Sequence, residues 1–429
     1  MYVKRAILKN VKGFAELEFD FDHGENQYEG WTVVTGDNGS GKTILLKTIA
    51  MALVGPSVTR SLQPSYEGWI KDGEKSAEIS VELISHNDVD SVETGRQHKR
   101  PFWSELLITT TASGASGLEV GSERRKSKKG PTRGPWSDAT SGWFAVGYGP
   151  FRRIRGASPE AQRLMSSPGR VSRFATMFKE DATLQECELW LMDLNYRKLE
   201  GREPEARLLE TTIAILNDEF LQNGVRVSRV DSEGLWLEDA HGTILNLSDM
   251  SDGYRASLAM MADMIRHLAS VYGQLNIKKR KNGSTYLEHT GVVLIDEADA
   301  HLHPEWQRRI GFWLKEKFPK LQFIVTTHSP HVCQAADQDG IYHLPHPSKE
   351  INPFQLSRRD YLEIIRSTAD DVLLTPAFSL SHTRSPLAVR SRRDFARMKA
   401  KFRRHEPTEE EQLRFEALKK FIDPDDEDG

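Results

Sequence analysis

Two short runs at the start of the chain alternate apolar and polar positions: residues 2–9, with Val3, Ala6 and Leu8, and residues 15–21, with Leu17, Phe19 and Phe21. A period of two turns one face of a strand inward, so the pattern predicts two strands joined by a turn at 10–14. The run Trp31, Thr32, Val33 and Val34 predicts a buried strand, and residues 44–50 a helix that continues to about Leu53, where Gly55 and Pro56 stop it. Alternation returns at 75–85, in Ala77, Ile79, Val81 and Leu83, and a further strand begins near Leu106. From about 113 to 142 glycine, serine, lysine and arginine dominate, around Arg124, Arg125, Lys126, Ser127, Lys128 and Lys129, which predicts a mobile loop. Residues 143–150 read as a strand ending in the turn Tyr148, Gly149, Pro150.

Helical periodicity follows at 183–199 (Leu184, Leu191, Leu194) and 204–223 (Leu208, Ile215, Leu216, Phe220), broken at 201–204. The two segments predict a short helical hairpin without the sustained heptads of a long coiled coil. Residues 225–230, 235–237 and 244–247 resemble a β-meander with glycine turns. A helix is predicted at 256–268, a fully apolar strand at 292–295, an amphipathic helix at 305–317 and a strand at 322–326. Near the end, Phe395, Met398 and Phe402, then Leu413, Phe415, Leu418 and Phe421, recur at helical spacing. No repeat of roughly 20–50 residues stands out.

Composition narrows the picture. A net charge of -4 over 429 residues gives no global basic field, so any contact with nucleic acid has to be local. Cys187 and Cys333 stand far apart with no Cys-x-x-Cys, which excludes a disulfide framework or thiolate zinc site and suits a reducing compartment. No apolar run reaches membrane-spanning length and the first residues lack a signal-peptide core, so the expectation is a soluble cytoplasmic protein with no membrane contact.

Candidate chemistry begins between the strand at 31–34 and the helix at 44–50. Gly36, Asp37, Asn38, Gly39, Ser40, Gly41, Lys42 and Thr43 form a P-loop in its strand-to-helix setting. Glycines let backbone N–H groups and the positive end of a helix dipole point at phosphate oxygens. Lys42 is placed to reach the β- and γ-phosphates of ATP, and Thr43 to ligate Mg²⁺. Far downstream the strand 292–295 ends in Asp296 and Glu297. Beside a P-loop, Asp296 can serve Mg²⁺ and Glu297 can deprotonate an attacking water. Ser251 and Gly253, at the start of the helix near 256, make a second small anion cradle. An ordinary N-cap is the plainer alternative there. Asp299, His301 and His303 could be read as metal ligands, but no further ligand cluster accompanies them. His328, after the strand 322–326, can donate to a γ-phosphate.

Walker A, a Ser-x-Gly signature, Walker B with Asp296 and Glu297, a loop with Asp299 and the switch His328, in this order, resemble an ABC-type ATPase head. More narrowly, Asn10-Val11-Lys12-Gly13-Phe14, Leu302-His303-Pro304 and Thr326-Thr327-His328-Ser329-Pro330 are similar to the RecF, SMC and OLD branch, in which His301 and His303 belong to the loop after Walker B. The segments Ser251-Asp252-Gly253-Tyr254-Arg255, Gly147-Tyr148-Gly149-Pro150-Phe151-Arg152 and Thr383-Arg384-Ser385-Pro386 resemble the PtuA family, ATPases of Septu and retron-associated antiphage systems. The resemblance implies an α/β P-loop NTPase head with an inserted helical region and a C-terminal helical tail, using ATP and Mg²⁺. It further implies a homodimer with ATP sandwiched between the P-loop of one protomer and Ser251 and Gly253 of the other, and an HNH nuclease subunit acting in trans. The alternative is a RecF-like repair or recombination ATPase. A glutamine loop is also implied, with Gln162, Gln185 and the Tyr148-Gly149-Pro150 turn as its possible places.

The expected organisation is a first part of the head at 1–112, a basic loop at 113–142, an arginine-rich and helical insertion at 143–224, the second part of the head at 225–345, and a partner-docking helical region at 346–429. Two readings stand for the basic stretch 124–129 and for Arg152, Arg153, Arg155, Arg163, Arg170 and Arg173: contact with DNA phosphates, or a solvated charged surface. The tail, basic from Arg390 to Arg404 and acidic at 423–428, suits either a partner or its own head. It carries no nuclease motif of its own, neither the carboxylate pattern of a Toprim centre nor an HNH histidine cluster.

Overall fold

The alternation at the start of the chain becomes an antiparallel hairpin, β1 (Tyr2–Val11) and β2 (Phe14–Asp20), whose inner face carries Leu8, Leu17 and Phe19. β3 (Gly30–Thr35), buried from Trp31 onward, leads into α1 (Lys42–Val54) and α2 (Pro56–Leu62). β4 (Ser76–Ile84), β5 (Phe102–Thr110) and β6 (Ser116–Val120) extend the hairpin into a five-stranded antiparallel sheet of order β2-β1-β4-β5-β6. The computed structural model describes residues 1–110, 115–122, 130–154, 156–167, 169–221, 223–349 and 352–422.

β6 corrects the expectation of a loop over 113–142. Leu118 is buried and pairs with Ile108, and Trp136 Nε1 donates to the Ala52 carbonyl at the end of α1 over 2.8 Å. Two apolar anchors thus fasten a segment whose average composition is polar. The basic centre 124–129 lies outside the described residues.

β7 (Ala145–Tyr148) precedes α3 (Pro159–Met165), α4 (Arg170–Phe178) and the helical hairpin α5 (Gln185–Leu199) and α6 (Glu203–Asn217). The meander is β8 (Arg226–Asp231), β9 (Gly234–Glu238) and β10 (Ile244–Asn246). α7 (Asp252–Tyr272) is longer at both ends than the predicted helix, because extended Ser251 caps its start and Gly273, at φ 71°, ends it. A small hairpin, β11 (Ile277–Lys279) and β12 (Thr285–Leu287), comes before β13 (Gly291–Ile295), α8 (Pro304–Lys317), β14 (Leu321–Thr326), α9 (Pro330–Cys333), β15 (Ile341–His343), β16 (Phe354–Gln355), α10 (Arg358–Arg366) and α11 (Ala369–Leu374).

The second sheet has the order β16-β15-β3-β14-β13-β7, and all of its strands except the short β16 run parallel. Its strands are almost continuously apolar, as a sheet covered on both faces requires. Parallel strands end on one edge, so Thr35, Tyr148, Ile295 and Thr326 come to a common rim, where α/β sheets place their ligands. α1 lies between the two sheets, with its middle and C-terminal part buried.

One side chain stitches the sheets together. Pairing of β1 with β2 begins only at Arg5, which leaves the backbone of Val3 unpaired on that side. The fully buried Gln322 of β14 fills the gap: its Oε1 accepts from Val3 N–H and its Nε2 donates to the Val3 carbonyl, both at 2.7 Å.

The chain divides into two compact units, Met1–Phe378 and Ser379–Gly429. The second is a hairpin of α12 (Pro386–Phe402) and α13 (Glu409–Ile422), held by stacking of Phe395 on Phe415 at 4.7 Å and by the Lys401–Glu411 and Arg414–Asp394 ion pairs. Leu387, Leu413 and Phe421 are exposed on it. The acidic run 423–428 lies outside the described residues. Among those described, no helix is long and apolar enough to cross a membrane.

Gln322→Leu keeps the volume but orphans both backbone groups of Val3. It is expected to lower the unfolding free energy by about 2–4 kcal/mol, read from chemical denaturation; a loss below about 0.5 kcal/mol would show that the sheets hold without this bond.

Candidate functional site

The P-loop owes its shape to what surrounds it. Gly36, Gly39 and Gly41 take φ values of 146°, 76° and 95°. A Cβ on Gly36 would stand 2.2 Å from the Leu344 carbonyl, and one on Gly41 2.4 Å from the ring of Phe14. The loop is therefore clamped between the turn of the first hairpin and the segment after β15. α1 begins at Lys42 with Gly41 as a cap that has no side chain, so its leading N–H groups are left for an anion. Lys42 Nζ donates to the carbonyls of Gly36 at 2.8 Å and Asp37 at 3.0 Å. Burial lowers its pKa, against the opposing pull of Asp296 and Glu297. Ser40 Oγ is buried with no partner among the described residues. Asn38 and Gly39 are exposed at the tip. Asp37 is ion-paired to Lys349 at 2.7 Å, and that hydrogen bond holds its carboxyl below the usual range.

Asp296, at the end of β13, is reached from two sides. Thr43 Oγ1 donates to its Oδ2 and Thr326 Oγ1 to its Oδ1, each at 2.6 Å. Thr326 Oγ1 also accepts from Glu297 N–H at 2.8 Å. Glu297 itself sits at φ 47°, in the left-handed region that costs a side-chain-bearing residue energy. The strain is held from below by Arg152, which donates to the carbonyls of Glu297 at 2.9 Å, Ala300 at 3.2 Å and Asp296 at 3.4 Å. Arg152 is 4% exposed, and burial brings its pKa down to about 10 despite Asp299, Asp296 and Glu297 nearby.

Asp299 ties this turn to the end of β14: Thr327 Oγ1 and His328 N–H, the latter at 3.1 Å, both donate to its Oδ1. The His328 ring lies at the rim, its pKa lowered by burial and by Lys42 and pulled back by Asp299. His303 caps α8 by accepting from Glu305 N–H at 3.3 Å, which gives it a structural task.

Ser251 and Gly253 form a different face. Ser251 is the N-cap of α7 but makes no side-chain cap bond, and a Cβ on Gly253 would lie 2.4 Å from the His301 carbonyl. With Tyr254, His303 and Trp306 they line a cavity of about 570 Å³. Among the described residues, no hydrogen bond joins them to the P-loop. The structure therefore gathers residues 36–43, 296, 297, 299 and 328 into one rim and leaves 251 and 253 apart.

Of the three places for a glutamine loop, the Tyr148 turn borders the site: Tyr148 pairs with Ile295, and its carbonyl accepts from Asp296 N–H at 2.8 Å. Gln162 and Gln185 lie in α3 and α5 with no side-chain bond to the rim among the described residues. The arginine stretch needs correction. Arg152 and Arg173 are buried and Arg170 is largely so, leaving Arg153 and Arg163 exposed; Arg155 lies outside the described residues.

Sequence reasoning missed Thr326, Arg152, Phe14 and Lys349 as parts of the site. Thr326 and Arg152 stand inside segments quoted for their resemblance, Thr-Thr-His-Ser-Pro and Gly-Tyr-Gly-Pro-Phe-Arg, and that position was the available signal. Nothing local marks Lys349.

A family model described as "AAA domain" matches residues 5–130, and one described as "AAA domain, putative AbiEii toxin, Type IV TA system" matches 191–334. A Septu protein PtuA of Bacillus mycoides (strain KBAB4) is 24% identical over 342 residues, covering 77% of this chain and 38% of that protein. "Retron Ec83 probable ATPase" of Escherichia coli is 40% identical over 111 residues, covering 26% of this chain and 19% of that protein. The chain thus spans less than half the length of these relatives. The crystal structure of an SMC head bound to the C-winged helix domain of ScpA superposes with a TM-score of 0.50 at 17% identity, over 84% of this chain and 99% of that one. The fold is that of an SMC-like ABC-type ATPase head.

Arg152→Met removes the donors that hold the turn at 296–300. It is expected to cost about 2–4 kcal/mol of stability and to speed amide hydrogen exchange there while secondary structure persists; unchanged exchange would show that the turn holds itself.

Proposed function

We propose that this chain is a cytoplasmic ATPase that hydrolyses ATP between two copies of itself and thereby controls a partner HNH nuclease in antiphage defence. The observation that carries the chemistry is the chain of bonds from Thr43 through Asp296 to Thr326 and Glu297, which joins the P-loop to the acidic turn in one rigid unit. The similarity to proteins named Septu PtuA and a retron ATPase supports the defence role.

ATP suits the donors present. The Lys42 ammonium, the uncapped start of α1 and the unpartnered Ser40 hydroxyl all offer positive charge or hydrogen bonds to phosphate. Thr43 Oγ1 and Asp296 Oδ2, two hard oxygens 2.6 Å apart, are the residues that would hold Mg²⁺. When bound, that ion neutralises charge on the transferring phosphoryl group.

The residues of the chain divide the remaining work. Asp296 is fixed by two hydroxyls and cannot swing toward the water. Glu297, presented by its left-handed backbone, is the general base that takes a proton from the attacking water. His328 donates to the γ-phosphate, and Asp299 sets the loop on which it rides. Ser251 and Gly253, which have no phosphate to hold in their own protomer, complete the site of a second copy in a two-fold sandwich. Loss of the γ-phosphate then releases the pair, which makes hydrolysis a switch. The exposed Leu413 and Phe421 of the second unit offer the partner nuclease an apolar docking edge. Arg153 and Arg163 remain for contact with DNA phosphates.

Glu297→Gln is expected to bind ATP, hydrolyse it about 10²–10⁴-fold more slowly and run as a dimer with ATP in light scattering. Hydrolysis at the native rate would remove Glu297 from the role of base. Co-expression with an HNH protein encoded beside this gene should yield a stable complex; no complex, with an active ATPase, would favour the RecF-like repair reading.

A further inference from the structure

A second polar recess lies away from the P-loop, at the other end of α1. It has a volume of about 440 Å³, and its walls include Trp143, Ser167, Arg170, Arg173, Arg266 and His267. Arg173 sets it apart. The residue is 9% exposed, and its one hydrogen bond among the described residues runs from Nε to the Gly169 carbonyl at a long 3.4 Å. Among the described residues neither of its Nη groups has a hydrogen-bond partner, and no carboxylate lies within ion-pair distance.

The charges around Arg173 are spoken for. Arg170 is paired with Asp138 at 2.8 Å and donates to the carbonyls of Pro135 and Val54, but its Nε is buried without a partner among the described residues. Arg266 and His267 are both engaged by the buried Asp263. Glu186 accepts from Ser166 at 2.9 Å. A guanidinium taken out of water without a counter-charge is costly, and five donors in a fixed fork match a phosphate or carboxylate. The start of the nine-residue α4 adds to this: its cap, Gly169, has no side chain, so the first N–H groups beside Arg173 remain available.

We infer that this recess binds a phosphate-bearing small molecule, with Arg173 as its main contact. The cavity is too large for phosphate alone and falls in the range of about 300–1,000 Å³ typical of small-ligand sites. It is too small to admit a duplex. The position gives the ligand leverage on both halves of the nucleotide site. Arg170 grips the last carbonyl of α1, which starts at the P-loop, while Arg266 and His267 belong to α7, which starts at Ser251. This inference stands on residues outside the ATP site and does not depend on the proposed function.

The test uses the whole chain with Lys42→Ala, so that the P-loop lysine no longer contributes, and calorimetric titration with inorganic phosphate, AMP, adenosine and a short single-stranded oligonucleotide. AMP is expected to bind, and more tightly than inorganic phosphate, with adenosine silent; equal affinities for phosphate and AMP would show that the rest of the recess contributes nothing and would overturn the small-molecule reading. Adding Arg173→Met should weaken binding tenfold or more, and Arg173→Lys, which keeps the charge but loses the planar fork, should restore only part of it. Arg173→Met should also raise the melting temperature of the free protein, because an unpaired buried cation becomes an apolar chain of similar length. No binding of phosphate or AMP, binding indifferent to Arg173→Met, or binding of the oligonucleotide alone would overturn the inference.

Discussion

The site depends on one carboxylate being held from two directions. Asp296 receives a hydroxyl from the P-loop helix through Thr43 and another from the neighbouring strand through Thr326. With both oxygens engaged, its position is fixed by the spacing of β13, β14 and α1. The same Thr326 hydroxyl accepts the amide of Glu297, so the next residue inherits that precision. A threonine is suited to this because one hydroxyl can donate and accept at once.

Holding two acids side by side leaves a tight turn, and the fold supports it with a buried cation. Arg152 spends its donors on three backbone carbonyls below the turn. Its charge therefore also lies beneath the acids. Arg173 is the contrast: another buried guanidinium, with one long hydrogen bond among the described residues. Two arginines 21 residues apart in the sequence look alike in composition and differ wholly in environment.

Much of the fold was legible because its strands and helices follow simple periods. The helical hairpin at 185–217 and the meander at 226–246 fall close to where alternation and apolar spacing put them. The residues of the rim were legible as well, since glycines before a helix and acids after an apolar strand have chemistry that spacing alone suggests. What sequence could not give was partnership across distance. Leu118 and Trp136 order a segment that reads as loop, and they do so through contacts with β5 and α1 rather than through local pattern. Burial likewise decided which arginines face water, and no count of charges could have separated Arg153 from Arg152. Lys349 meets Asp37 only because the chain returns beside the P-loop after β15.

The order of strands in the parallel sheet has a consequence for synthesis. β3, near the start of the chain, is flanked by β14 and β15, which span residues 321–343. During synthesis β3 has no neighbour on either edge until the chain beyond Leu321 has emerged. During that interval a strand carrying Trp31, Val33 and Val34 is exposed along both of its hydrogen-bonding edges, the kind of element that invites misassociation. The architecture that joins the P-loop to the acidic turn thus leaves the newborn chain with an unpaired strand until β14 and β15 have followed, and a product truncated before β13 would keep that strand without Asp296 and Glu297.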